Sequence, residues 1–307
     1  MMLTGYARLC LTAMAMLAST AAIALPASAA EGEPRNWQLG FQPAATAIAE
    51  QMHGFHNLLL VICTLIVLLV LGLLVWVMVR YNEKANPVPD RTSHNTTVEV
   101  LWTIVPVLIL LIIAIPSFRL LYAQYDVPKP DLTVKATGHQ WYWSYVYPDH
   151  GNFGFDSSVA NEDNVNGEQA YLLAVDNEVV VPVNKVVHIL LTSDDVIHDW
   201  TIPPFGVKAD AVKGRNTLIW FQAKKPGVYY GECSELCGAR HAFMPITVRV
   251  VSDQEFTAWI DQAKQKFASS MPETGRDTAA ATDAGKTKDA HSRIATAQTV
   301  LDRKSVV

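Results

Sequence analysis

The sequence predicts an all-β sandwich or barrel domain held at a membrane by an N-terminal two-helix transmembrane hairpin. Two long uncharged runs, Leu58 to Val79 and Val100 to Phe118, predict the hairpin. About seven short segments rich in Val, Ile, Tyr and Thr between Asp131 and Val251 predict the β domain. Half of the 307 residues are apolar and the mean hydropathy is +0.16. Both are high for a purely water-soluble chain and fit one with a few membrane spans.

Residues 1–29 read as a secretory signal peptide of bacterial type. Arg8 supplies a positive start, Leu9 to Leu25 an apolar stretch, and Ala27-Ser28-Ala29 a small-residue cleavage site. Residues 30–119 then hold an N-terminal segment and the hairpin. The first run has 22 residues and the second 19, enough at 1.5 Å per residue to cross a hydrocarbon core of about 30 Å. Pro106 and Pro116 lie in the second run, where neighbouring helices can satisfy the freed carbonyls. Arg80, Lys84 and Arg91 crowd the short loop between the runs, against Arg35 alone before them. The positive-inside rule places that loop in the cytoplasm and both ends outside. Glu99 opens the second span. On residues alone it reads as an interfacial carboxylate at a positive helix N-terminus, or as a proton-pathway group.

Residues 120–251 form the predicted β domain. Its segments are LTVKATG, QAYLLAV, EVVVPV, KVVHILLTS, TLIWFQA, GVYYGEC and PITVRVV, with Gly, Asn, Asp or Pro between many of them. Short strands at this density argue for an antiparallel sandwich or barrel. In HQWYWSYVY, alternation puts Trp141, Trp143, Tyr145 and Tyr147 on one strand face, a pattern more often core than redox path. Residues 252–270 predict an amphipathic helix. Ser252 with Glu255 is a capping box, and Phe256, Trp259, Ile260, Ala263 and Phe267 follow at helical spacing. Residues 271–307 are rich in Ala, Thr, Asp and Lys, the composition of a disordered tail.

The chemistry concentrates in GECSELCGARHAFMP, Gly231 to Pro245. It offers Cys233, Cys237, His241 and Met244, with His198 upstream in VIHDW. Thiolate and thioether sulfur select soft metals, copper above all, and imidazole completes such a site. A one-copper blue site would leave a Cys over, structural zinc has no use for Met244, and c-type haem needs C-x-x-C-H where this chain has C-x-x-x-C. A bare disulfide needs neither the His nor the Met. The donor set therefore favours two coppers over zinc or a disulfide.

Between Leu120 and Ser270 stand 12 Lys plus Arg and 18 Asp plus Glu, a net charge of about −6. Acidic clusters fall at Asp194, Asp195 and Asp199, at Asp176 with Glu178, and at Glu162 with Asp163. Such a face is solvated surface, or steers a basic partner toward the metal loop. There is no basic stripe or nucleic-acid motif.

Together CSELCGARHAFM, VIHDW, GHQWYWSY, VDNEVVVP and the hairpin resemble subunit II of the cytochrome c oxidases of the haem–copper family, from about Gln51 to Val251. The resemblance implies a cupredoxin-like sandwich carrying a binuclear copper centre, CuA. Cys233 and Cys237 would bridge two coppers; His198 and Met244 would complete one, His241 and the backbone carbonyl of Glu235 the other. The Glu235 side chain would reach a Mg²⁺ or Mn²⁺ shared with subunit I, and Trp141 would receive the electron. It implies cytochrome c as donor, docked at Asp176 and Asp195. Haem would lie in subunit I and not on this chain, with subunit III and membrane lipid as further neighbours. Glu99 matches the family's proton-pathway entrance. Acidic family positions after the Trp-rich strand are Val146, Gly151 and Asn152 here, which implies a weaker or displaced docking face. The implied location is a bacterial inner membrane, with both termini and the copper domain periplasmic. The reading from a different class is a membrane-anchored copper-binding or copper-delivery protein.

Overall fold

The computed structural model describes residues 32–35, 37–160 and 172–268. The predicted signal peptide, the tail from 271, and Glu162 with Asp163 lie outside the described residues.

The hairpin is two long helices, α1 (Ala47–Arg80) and α2 (Thr96–Tyr125). Thr46 caps α1 by accepting from the Ala49 N–H, and Asn95 caps α2 by accepting from Val98. Both helices are long and apolar enough to cross a membrane, with mean hydropathy of 3.4 and 2.8 in their most apolar windows. Pro106 and Pro116 lie inside α2, as expected. Both helices outrun the apolar stretches. α1 starts eleven residues before Leu58 and spans about 50 Å at the helical rise. Hydropathy marks only the part that lipid covers; the polar first turns continue because they are anchored on the β domain. The Thr46 hydroxyl donates to the Phe205 carbonyl at 2.7 Å, Ala45 N–H donates to Pro204, and Glu50 pairs with Lys224 at 2.7 Å.

The β domain is a sandwich of two five-stranded sheets. The first contains β1 (Leu132–His139), β2 (Tyr142–Tyr147), β3 (Phe153–Ser157), β5 (Val187–Ser193) and β8 (Thr217–Phe221), in the order β3-β2-β1-β5-β8. The second contains β4 (Val179–Pro182), β6 (His198–Ile202), β7 (Val207–Ala211), β9 (Gly227–Cys233) and β10 (Pro245–Val251), in the order β4-β10-β9-β6-β7. The expectation of an antiparallel sandwich needs correcting. β1 runs parallel to β5, and β4 parallel to β10. Alternation in a sequence tells which face a residue takes but not which way its neighbouring strand runs.

Buried aromatic rings fill the space between the sheets: Trp143, Tyr145 and Tyr147 from β2, Trp200 from β6, Phe221 from β8 and Tyr229 from β9. The Tyr147 hydroxyl donates to the Val180 carbonyl at 2.9 Å, and the Trp200 indole donates to the Tyr145 hydroxyl at 3.2 Å, so these polar tips are satisfied. Trp141 does not share the β2 face as alternation suggested. It lies in the turn between β1 and β2, half-buried, because the pairing of His139 with Tyr142 closes the hairpin around it. α3 (Asp253–Lys266) begins with the predicted capping box at Ser252 and Glu255. It buries Phe256, Ile260 and Ala263 on the sandwich, with Trp259 against Tyr147 and Phe267 stacked on Phe155 at 4.8 Å.

Candidate metal centre

The site is built at one end of the second sheet. β9 ends at Cys233, and the chain loops from Ser234 to Met244 before returning as β10, with Glu232 paired to Pro245. The Cys233 N–H donates to the Met244 carbonyl at 3.0 Å, closing the loop at its base. Inside it, a short 3₁₀ turn (His241–Phe243) is set by the His241 N–H donating to Gly238. β6 pairs with β9 through Trp200 and Cys233, which brings its first residue, His198, up to the loop from the neighbouring strand.

The donors converge. The Cys233 and Cys237 Sγ atoms are 3.9 Å apart. His198 Nδ1 lies 3.9 Å from the Cys233 sulfur, and His241 Nδ1 lies 3.6 Å from the Cys237 sulfur. The Glu235 carbonyl oxygen is 3.4 Å from the Cys233 sulfur. His198, Cys233, Cys237 and Met244 are all buried; the Glu235 side chain is exposed. The cysteines are free thiols, far beyond the roughly 2.05 Å of a disulfide. Burial, and after it the neighbouring Cys233 thiol, push the Cys237 thiol up to about 12. Two thiolates this close in a buried site need positive charge between them, which a bound metal supplies. One imidazole beside each of two adjacent sulfurs fits a pair of soft metal ions better than one tetrahedral ion.

His198 is held from two sides. Its Nε2 donates to Asp195 Oδ1 at 2.7 Å, which leaves Nδ1 facing the sulfurs. A backbone position makes room for the ring: a Cβ on Gly138 would lie 2.7 Å from the His198 imidazole. Asp195, expected on the docking surface, is only partly exposed, and its oxygens are engaged inward. It also accepts from the Val196 N–H and the Gln140 N–H, each at 2.6 Å. Burial works to raise its pKa, but donors from His198, Val196 and Gln140 outweigh that and hold it below the usual carboxylate range.

Trp141 lies against the metal loop. A Cβ on Gly238 would come within 3.1 Å of its ring. With Gln140, Tyr142, Asp176 and Arg240 it lines a cavity of about 470 Å³ open to the outside. Asp176 is exposed there, accepting from the Ser158 N–H at 2.8 Å. Glu99 is not part of this site. It lies in the first turn of α2, about 40 Å along that helix from its domain end. Val146 is on β2, while Gly151 and Asn152 take left-handed backbone angles, φ 95° and 58°. Gly and Asn are the residues that such a turn favours.

Two residues of the site escaped sequence reasoning. Gln140 donates to the Cys237 carbonyl in the loop and to Asp195 outside it, and Gly138 gives the His198 ring its space. A glycine just before the Trp-rich segment was the available signal for the second.

Residues 132–251 match the family of the cytochrome c oxidase subunit II periplasmic domain, and residues 34–120 that of its transmembrane domain. The chain is 50% identical over 236 residues to a probable cytochrome c oxidase subunit 2 of Rickettsia bellii, covering 77% of this chain and 87% of that one. It is 42% identical over 284 residues to cytochrome c oxidase subunit 2 of Cereibacter sphaeroides, covering 85% and 93%. The crystal structure of the periplasmic domain of cytochrome oxidase subunit II from Bradyrhizobium japonicum is similar at 60% identity and a TM-score of 0.44, covering 46% of this chain and 99% of that one. This chain belongs to the cytochrome c oxidase subunit II family, as a membrane-anchored subunit of an oxidoreductase complex.

Proposed function

We propose that this chain is the electron-accepting subunit of a proton-pumping cytochrome c oxidase. It takes electrons from cytochrome c at a binuclear CuA centre and passes them to haem in subunit I, where oxygen is reduced to water. The observation that carries this is the adjacent pair of buried sulfurs, Cys233 and Cys237, each with an imidazole Nδ1 beside it.

A pair of coppers held here would supply one-electron transfer with little rearrangement. Cys233 and Cys237 would hold both, His198 and Met244 would complete one, and His241 with the Glu235 carbonyl would complete the other. The chain's own part is rigidity: buried ligands on a sandwich loop keep one geometry in both redox states, and Asp195 fixes the orientation of His198. Trp141, against the loop and half-exposed, receives the electron. Asp176, exposed beside it, contributes to docking a basic donor. The exposed Glu235 carboxylate reaches a Mg²⁺ or Mn²⁺ at the boundary with subunit I. Glu99, at the far end of α2, opens the proton pathway. Arg80, Lys84 and Arg91 keep the helix loop cytoplasmic, which puts the copper domain in the periplasm.

The full chain reconstituted with copper in detergent tests this. Two coppers per chain, a purple colour and an electron-spin signal shared by both nuclei are expected. One copper per chain, preferred zinc, or copper released on each reduction would refute it; the last outcome would instead mark a copper-delivery protein.

A further inference from the structure

We propose that Gln140 is a positioning residue, a strut that holds Trp141 at a set distance from the copper loop. This rests on the proposed roles of Trp141 and of the two-copper centre. Three observations support it.

The Trp141 ring has no polar tether of its own. Its indole Nε1 is buried and, among the described residues, has no hydrogen-bond partner, although a buried indole ordinarily finds one. The ring packs against the sandwich core and against Gly238, where a Cβ would lie 3.1 Å from it at a φ of 126° that side chains rarely adopt. Apolar packing of this kind is non-directional and supplies no hydrogen bond to fix the ring's position.

Gln140 supplies the missing restraint from both ends. Its backbone N–H donates to Asp195 Oδ2 at 2.6 Å, and the other oxygen of the same carboxylate holds His198 Nε2 at 2.7 Å. Its side-chain Nε2 donates to the Cys237 carbonyl at 2.8 Å, across 97 residues of sequence. One residue, adjacent in the chain to Trp141, is thus tied to the imidazole side and to the thiolate side of the centre.

The strut is also a slender one. Gln140 is exposed as a residue, its bond to the Cys237 carbonyl part-buried, and a single bond of this kind contributes only about 1 kcal/mol to stability. A role limited to folding would be weakly served by such a bond. A role in spacing is well served, because the rate of a positioned reaction depends on how closely its partners are held to the right geometry, and a transfer rate falls as the gap between donor and acceptor widens.

The assembled oxidase carrying Gln140→Ala tests the strut, with Gln140→Glu as the variant that keeps the shape but replaces the donor amide by an acceptor. Pre-steady-state electron uptake from reduced cytochrome c is measured at saturating donor, together with KM, copper content and the spin-resonance signal. Both variants are expected to slow uptake about tenfold or more, with KM unchanged, two coppers retained and the copper signal intact. Unchanged uptake would overturn the proposal. A change in KM alone would overturn it too, making Gln140 a contact for the donor. Loss of copper in step with the rate would reduce Gln140 to a structural tie. Trp141→Phe is the control that separates this idea from its parent. Slow uptake in Trp141→Phe with normal uptake in both Gln140 variants removes the strut only, whereas normal uptake in Trp141→Phe removes Trp141 from the path and the strut with it.

Discussion

Asp195→Asn is the most informative single change at the metal centre. The carboxylate accepts from His198 Nε2 at 2.7 Å and from the Val196 N–H at 2.6 Å on one oxygen, and from the Gln140 N–H at 2.6 Å on the other. Asparagine keeps one oxygen and turns the other into an amide donor. In one orientation the amide faces the Gln140 N–H; in the other it faces His198 and Val196. Either way a donor meets a donor at close range, and a charge-assisted hydrogen bond is lost, worth about 1.5–3 kcal/mol. Removing an oriented partner of a metal-bound imidazole typically costs 10–100-fold in metal affinity, or about 1.4–2.8 kcal/mol at 1.4 kcal/mol per tenfold. Copper affinity of the full chain in detergent, measured by competition with a chelator, should therefore fall by that factor. The comparison is Asp176→Asn, whose exposed carboxylate accepts from the Ser158 N–H and touches neither His198 nor the sulfurs among the described hydrogen bonds, so that copper affinity should stay within about twofold. If Asp195→Asn keeps wild-type copper affinity and changes only the salt dependence of cytochrome c binding, the inward role fails and the carboxylate returns to the docking face.

Two further predictions concern the same end of the domain. The Asp199 carboxylate is buried, with Oδ1 accepting from the Thr201 hydroxyl and Oδ2 without a donor among the described residues. Burial, more than the Asp210 carboxylate opposite it, raises its pKa. A raised native pKa makes its contribution to stability fully present below the unfolded value of about 3.9 and lost as pH rises through the native one. Asp199→Asn should then raise the urea midpoint at pH 7.5 more than at pH 4.5, by about 1–3 kcal/mol of stability at the higher pH; equal shifts at both would contradict this. Gly138→Ala would place a methyl 2.7 Å from the His198 ring, an overpacking cost of about 1–3 kcal/mol. Reduced thermal stability with lowered copper content is expected, and a fully loaded, equally stable variant would show that the ring gives way freely.

Much of this molecule is legible without coordinates, for a physical reason. Membrane spans are a property of composition over some 20 residues, so Leu58 to Val79 and Val100 to Phe118 announce themselves. The capping box at Ser252 and Glu255 is local too. The candidate ligands Cys233, Cys237, His241 and Met244 lie within twelve positions of a single loop, and their types alone narrow the metal they could hold. β6 and β7 were missed because Asp199, Lys208 and Asp210 break up their apolar pattern, although both strands lie in the middle or at the rim of a sheet.

What the sequence determined by itself was therefore the anchor, the all-β class and the identity of the donors, since each is written in neighbouring residues. Tertiary structure alone decided the parallel pairings of β1 with β5 and β4 with β10, the inward turn of Asp195, and the placement of Gln140 against Cys237. The last two depend on contacts between residues 55 and 97 positions apart, and the pairings join strands that are also far apart in the chain. A local pattern carries no record of such contacts, because only the packed core brings the strands bearing them into register.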